Sequence, residues 1–288
     1  MIRRNTFEHV VIGGPFLWMI VFAFIPALLI VAASFLGRTE FEFFTYSFTL
    51  EGYRTILEPL FFRVLLRSVS LACGVTAFCL LAAYPFAYAL AHSPRRYRGL
   101  FLLLTIIPFW TNSLVRIYAL IFMLKMKGVV SYLAMASGVV DQPFSLMYTE
   151  TAVFIGMVYT LLPFMILPIY SSLEKIDQRL VDAARDLGGS WFQAFRCITL
   201  PLSFPGIVAG CMMVFLPALG MFYIPDILGG GKHLIVGNYI KNQFLIARDW
   251  PAGSAASVVL TALMLFLMGL YLWIIKRRGS GIQGGGIG

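Results

Sequence analysis

LVDAARDLGGSWFQAFRCITLPLSFPG, residues 180–206, places Asp182, Arg185, Asp186, Arg196 and a pair of glycines between two long apolar runs. Upstream of Gly188 the apolar residues Leu173, Ile176, Leu180, Ala184 and Leu187 recur every three or four positions and make one helical stripe. Glu174, Asp177, Arg179, Asp182 and Arg185 fall largely off that stripe, so the segment reads as an amphipathic helix in water. Gly188 and Gly189 stop it, because glycine readily takes the left-handed conformation that ends helices. Ser190, with Gln193 three residues on, has the pattern of a capping box and opens a short helix carrying Trp191, Phe195 and Ile198. Pro201 and Pro205 are expected to end that helix and restart the chain as a membrane span. Patterning alone leaves two readings: a rigid elbow with a bulky tip, or a solvated loop with an interfacial helix.

The flanks set the class. The chain has 288 residues, 60% of them hydrophobic and 12% charged, too apolar for one water-soluble core. Runs of about 20 apolar residues, enough to cross a hydrocarbon layer of about 30 Å as helices, fall at 14–35, 68–91, 100–120, 151–170, 204–228 and 255–275. The fold class is therefore all-α, a polytopic membrane protein with six spans. The third run is the least sharply bounded, since Asn112 and Arg116 interrupt it.

An even number of spans puts both termini on one side. Arg3, Arg4, the basic turn 92–98 and Lys276 to Arg278 hug span ends on that side, which the positive-inside bias makes cytoplasmic. The expected layout is a cytoplasmic N-terminus at 1–13, a membrane domain at 14–275 with its long cytoplasmic loop at 171–203, and a flexible tail at 276–288. The net charge of +9 then reads as orientation and contact with lipid headgroups, with no nucleic-acid partner needed. The first run lacks a cleavage pattern and is expected to stay as an anchor. The outer loops 36–67, 121–150 and 229–253 mix apolar and charged residues, as interfacial helices or packed lids would.

Little in the chain suggests catalysis. Cys73, Cys79, Cys197 and Cys211 match no metal spacing, and His9, His92 and His233 all lie outside the spans. GGGKH at 229–233 lacks the first glycine of a phosphate loop, where Asp226 stands, and its Ser/Thr, where His233 stands. Asp182 and Asp186 would share a helix face as magnesium ligands do, but a facing aspartate set is missing and Arg185 intervenes. No catalytic residue and no metal site is expected. Prolines at 26, 85, 108, 163, 168, 217 and 225, in or at the ends of spans, imply kinks, either static or in moving segments.

Asp182, Ala183, Ala184, three residues, Gly188, nine residues, Ile198, one residue, Leu200 and Pro201 resemble, at every spacing, the E-A-A-x3-G-x9-I-x-L-P loop of importer-type ABC transporter permeases. Asp182 is the one departure, an aspartate for glutamate that keeps the charge. PFWTNSLVRIYA from Pro108, LLPFMILPIYSSLEKID from Leu161, PALGMFYIPDILGGGKHLIVGNYI from Pro217 and RDWPAG from Arg248 are similar to the spermidine/putrescine branch of that family.

The resemblance implies a type I importer permease (MetI-like) fold and a cytoplasmic elbow that docks in a groove of an ABC ATPase dimer. ATP and Mg would be bound by that ATPase, leaving no cofactor in this chain. Asp182, Ala183, Ala184 and Gly188 would shape the elbow, Trp191 and Phe195 would fill a pocket in the ATPase, and Arg185, Asp186 and Arg196 would orient it. Further implied partners are a second, PotC-like permease subunit, a periplasmic or extracellular substrate-binding protein and a polyamine substrate.

At the outer ends of spans three and five, Trp110 and Tyr223 suit ammonium groups through cation-π contacts of roughly 0.5–2 kcal/mol. Asp226 suits ion pairing and Asn112 a hydrogen bond. Trp110 and Tyr223 equally suit the aromatic belt of the interface. Arg116, repelling a polycation, is expected near the interface, paired with an acid, or against the external binding protein. Gly206 and Gly210 form a G-x-x-x-G that suits close helix packing, within the chain or against the second permease.

Overall fold

The computed structural model describes residues 13–38 and 45–283. Among these, six helical runs are long and apolar enough to cross a membrane: Gly13–Ala33, Pro59–His92, Ser113–Ala136, Glu150–Leu173, Trp191–Gly220 and Trp250–Ile274. The elements in order are α1 (Gly13–Ala33), β1 (Leu36–Gly37), β2 (Thr45–Phe48), α2 (Glu51–Ile56), α3 (Pro59–His92), α4 (Arg95–Trp110), α5 (Ser113–Leu124) and α6 (Val129–Ala136). They continue with α7 (Glu150–Leu173), α8 (Gln178–Asp186), α9 (Trp191–Gly220), α10 (Tyr223–Gly229), α11 (Val236–Leu245) and α12 (Trp250–Gln283).

Four expectations need correction. The run expected at 100–120 is broken: Thr111 and Asn112 turn extended, and the Asn112 side chain caps α5 by accepting from Leu114 N at 2.9 Å. The membrane-length run begins only at Ser113. The fifth span starts at Trp191 and stops at Gly220, so 223–228 form a separate helix. The loop at 36–67, expected to hold interfacial helices or packed lids, holds the hairpin β1–β2, the short α2 and the start of α3, with 39–44 outside the described residues. Helix α12 carries helical backbone to Gln283, where a flexible tail was expected from 276. Residues 1–12 and 284–288, the remainder of the expected terminal segments, lie outside the described residues.

Pro201 and Pro205 do not end a helix either. Proline removes an N–H and pushes its ring at the carbonyl four residues back. The chain answers with a π-turn at Phe195–Thr199, in which Leu200 N–H bonds Phe195 O, so the turn widens just ahead of Pro201. The same device precedes Pro26: Ile20–Phe24 is a π-turn closed by Ile25 N–H on Ile20 O. Helical backbone continues through Pro26, Pro201 and Pro205 without a break.

The chain divides into two compact units. In the one formed by residues 65–238 with 265 onward, α7 is central. Ala152, Val153, Met157, Leu161, Met165 and Ile169 are buried, tracing one broad helical face. Helix α9 lies against it through Gly206 and Gly210: a Cβ on Gly206 would meet Ser172 Oγ and sit 2.5 Å from Pro168 O, and one on Gly210 would sit 2.7 Å from Met165 Sδ. The G-x-x-x-G pair therefore serves packing within the chain. Helix α10 covers the other end of α7, with Ile224 and Leu228 over Gly156.

In the unit formed by residues up to Val64 with 239–264, the β1–β2 hairpin stacks Phe35 on Phe48 at 5.5 Å, and Ser34 Oγ pairs with Tyr53 OH at 2.9 Å. Gly52 of α2 meets Pro251 at the start of α12, and Arg38 holds Asp249 at 3.0 Å.

Gly206→Val is expected to lose roughly 1–3 kcal/mol by overpacking, while Gly269→Ala, with open space around it, should be neutral. Thermal unfolding of the purified protein reads the difference, and equal midpoints would contradict the close α7–α9 contact.

Candidate functional site

The elbow is built from local backbone chemistry. Asp177 caps α8 by accepting from Arg179 N at 3.0 Å. At its far end Gly188 takes φ +85, Gly188 N–H bonds Arg185 O at 2.9 Å, and Gly189 N–H bonds Ala184 O at 3.0 Å. Those two bonds are the paired closure of a Schellman motif. A Cβ on Gly189 would sit 2.6 Å from Ala184 O, so both glycines are needed for the turn. Ser190 and Gln193 then exchange bonds as a capping box, Gln193 Oε1 accepting from Ser190 N at 2.7 Å and Ser190 Oγ from Gln193 N at 3.3 Å.

Side chains anchor the elbow to α3 and the basic turn. Trp191 stacks on Phe195 at 5.7 Å, and both meet Tyr88 edge-on at 6.3 and 6.0 Å. Phe195 also meets Tyr84, whose hydroxyl pairs with Ser203 Oγ at 3.0 Å. His92 Nδ1 donates to Tyr88 O at 2.8 Å, which leaves Nε2 to accept from Gln178 Nε2 at 3.2 Å. Arg98 reaches Glu174 at 3.7 Å.

This arrangement sorts the sequence-expected elbow residues. Asp182, Ala183, Arg185, Asp186 and Gly188 are exposed together on α8 and its turn, with Ala184 half-buried beneath them. Trp191 is 57% exposed, whereas Phe195 is half-buried in the Tyr84–Tyr88 pile and so already has its apolar partners. Arg196, Leu200 and Pro201 are exposed along the start of α9, and Ile198 is half-buried. Leu187, at 90% exposure, stands at the apex beside the bend, with Leu180 and Phe192 also exposed. The apolar stripe read from sequence thus splits: Leu173 is buried in the chain and the Leu180–Leu187 end is left bare. Periodicity located these leucines but not which end of the stripe faces outward.

The cluster of Trp110, Asn112, Tyr223 and Asp226 is less convergent. Trp110 ends α4 at 77% exposure. Asn112 spends its side-chain oxygen on capping α5. Tyr223 and Asp226 lie half-buried on α10. The structure adds a residue that the sequence reading missed: Asn238 donates to Phe222 O at 3.2 Å and to the Asp226 carboxylate. Asn238 is 3% exposed, and its own Oδ1 is buried without a partner. The pairing spans twelve residues across the 230–235 loop, a separation no local pattern reports.

Comparison with known proteins follows the same lines. Residues 83–280 match the family described as binding-protein-dependent transport system inner membrane component. The chain belongs to this family. It is accordingly the multi-pass inner-membrane permease of a binding-protein-dependent transporter, and membership implies ATPase and substrate-binding protein partners. The permease is 49% identical over 277 residues to the spermidine/putrescine transport system permease protein PotB of Salmonella typhimurium, covering 96% of each chain. It is 50% identical over 260 residues to PotB of Escherichia coli, covering 90% of this chain and 94% of that one. In three dimensions the permease resembles a chain of the bacterial alginate ABC transporter crystallised with an alginate pentasaccharide-bound periplasmic protein. That match has a TM-score of 0.78 at 15% identity and covers 96% of both chains. At that identity it speaks for the fold alone.

Gly188→Ala forces a Cβ residue into the left-handed region at about 1–2 kcal/mol, with no steric contact to complicate the reading. Amide exchange at residues 187–190 should speed up by roughly 5–30-fold, and Gly188→Asn, which tolerates that region better, should change it less. Equal effects of the two variants would argue against the Schellman closure.

Proposed function

We propose that the chain is the PotB-type permease of a polyamine importer, carrying spermidine or putrescine by alternating access driven by a cytoplasmic ATPase dimer. The observation that carries this reading is the near-half identity to the PotB proteins over nearly the whole chain. A second, PotC-like permease would complete the pathway, and a soluble binding protein would deliver substrate on the outer side. ATP and Mg would stay on the ATPase, and this chain would act without catalytic residues. Both termini would be cytoplasmic, as the basic span ends favour.

In this reading the elbow of Asp182, Ala183, Ala184 and Gly188 presents Leu187 and Trp191 to the ATPase, with Arg185, Asp186 and Arg196 orienting it. Closure of the ATPase dimer would pull on α8, and the α7–α9 pair would move as one body because its backbones are already in contact at Gly206 and Gly210. ATP-driven transport works only if the two forms of the pathway differ in contact energy at this elbow.

At the outer end, Asp226 supplies negative charge and the partnerless Asn238 Oδ1 an acceptor beside it. A buried acceptor without a donor is costly, and a primary ammonium supplies donors and the opposite charge together. Trp110 and Tyr223 would add ring faces, and Asn112 would hold the break that presents Trp110.

The complete transporter, reconstituted in liposomes with its binding protein, should take up spermidine or putrescine and not neutral amino acids. Asp226→Asn should raise the apparent KM at least about 10-fold, the scale of a lost charge-assisted bond. Leu187→Asp should release the ATPase on purification while leaving membrane insertion intact. Absence of stimulation by any polyamine would refute the substrate and spare the permease.

A further inference from the structure

Arg116 lies in the first turn of α5, inside the apolar run Ser113–Ala136. Its Nε is buried without a hydrogen-bond partner, and its guanidinium carbon lies 5.4 Å from the centre of the Phe109 ring. It borders a cavity of about 460 Å³ walled by Phe86 of α3, Phe101 and Leu104 of α4, and Leu162 and Ile166 of α7. Thr105 and Tyr159 are the other polar side chains of the wall, and no carboxylate lines it. The ion pairs formed among the described residues do not include Arg116.

Two effects make this cation unfavourable as it stands. An aromatic face replaces only part of the hydration lost by a guanidinium at membrane depth. The first turn of α5 contains no acid, and the positive end of the helix dipole adds to the arginine's charge rather than offsetting it. Among the described residues no carboxylate answers this charge. A polyamine would be repelled, so on the polyamine reading the transported solute is not the occupant.

We infer that this groove binds an anionic phospholipid, its phosphate on Arg116 and an acyl chain along α4 and α7. The wall formed by Phe101 to Pro108 runs about 10 Å along α4 at 1.5 Å per residue, and its one polar side chain, Thr105, spends its hydroxyl on Phe101 O at 2.8 Å. An acyl chain with a phosphate head satisfies both ends, as basic pockets between membrane helices do for acidic lipids. The bound lipid would brace α4 and α5 on either side of the break at Thr111–Asn112.

The test is native mass spectrometry of the complete transporter, exchanged from detergent into mixed phosphatidylglycerol and phosphatidylcholine vesicles and re-extracted. Wild type should retain phosphatidylglycerol over phosphatidylcholine by about 10-fold at this site, a preference of the size charge-assisted phosphate contacts give. Arg116→Gln should abolish the preference, and Arg116→Lys should keep part of it. Leu104→Trp, which fills the groove and leaves the arginine in place, should lower retention of both lipids. Unchanged retention in Arg116→Gln, or a neighbouring subunit's carboxylate seated on Arg116 in a structure of the complex, would overturn the assignment. Because the readout is lipid mass, failure here leaves the polyamine reading untouched, and failure of polyamine uptake leaves the lipid count unchanged.

Discussion

The contact between α7 and α9 at Gly206 and Gly210 governs the rest of the molecule. Where Pro168 O and Met165 would collide with a Cβ, the two backbones lie as close as helices can. In lipid such closeness is the main source of helix association, since apolar side chains gain little by leaving acyl chains for one another. Helix α8 and its glycine turn are strung between these two helices, so the contact fixes both ends of the elbow. The aromatic pile of Tyr84, Tyr88, Trp191 and Phe195 then sets how the elbow leans on α3. On the proposed docking, a force applied at Leu187 would reach the membrane through a capped helix, a Schellman turn, a capping box and a continuous α9.

Continuity of α9 is itself a solution to a conflict. Pro201 and Pro205 in its first half oppose helical hydrogen bonding, yet the helix runs unbroken from the elbow into the span. The π-turn at Phe195–Thr199 resolves this by moving one bond to the fifth residue. The same device precedes Pro26 in α1, so it is not a peculiarity of the elbow.

Polar groups at membrane depth carry the remaining information. An arginine inside an apolar run is costly, and Arg116, in the first turn of α5, meets that cost with a ring face and no acid in that turn. Asp226 is treated in the opposite way, held by Asn238 across a loop, with a further acceptor left open beside it. One site is poor in negative charge and the other is rich in acceptors. On the two proposals made above, that contrast would separate a groove for an anion from a place fit for a cation.

Six apolar runs, the elbow between two of them, the bend at Gly188 and the Ser190 cap follow from the sequence, because each depends on residues within one or two helical turns. Hydrophobic length, glycine's left-handed backbone and a side chain reaching three residues ahead are local properties. The break at Thr111–Asn112, the continuation of α9 through Pro201 and the outward face of Leu187 were decided by tertiary structure. A proline reads as a stop until a widened turn absorbs it, and an apolar stripe does not say which of its ends finds a partner. The Asp226–Asn238 pair and the isolation of Arg116 likewise depend on which helices lie side by side, which is settled by backbone approach at a few glycines rather than by any run of neighbouring residues.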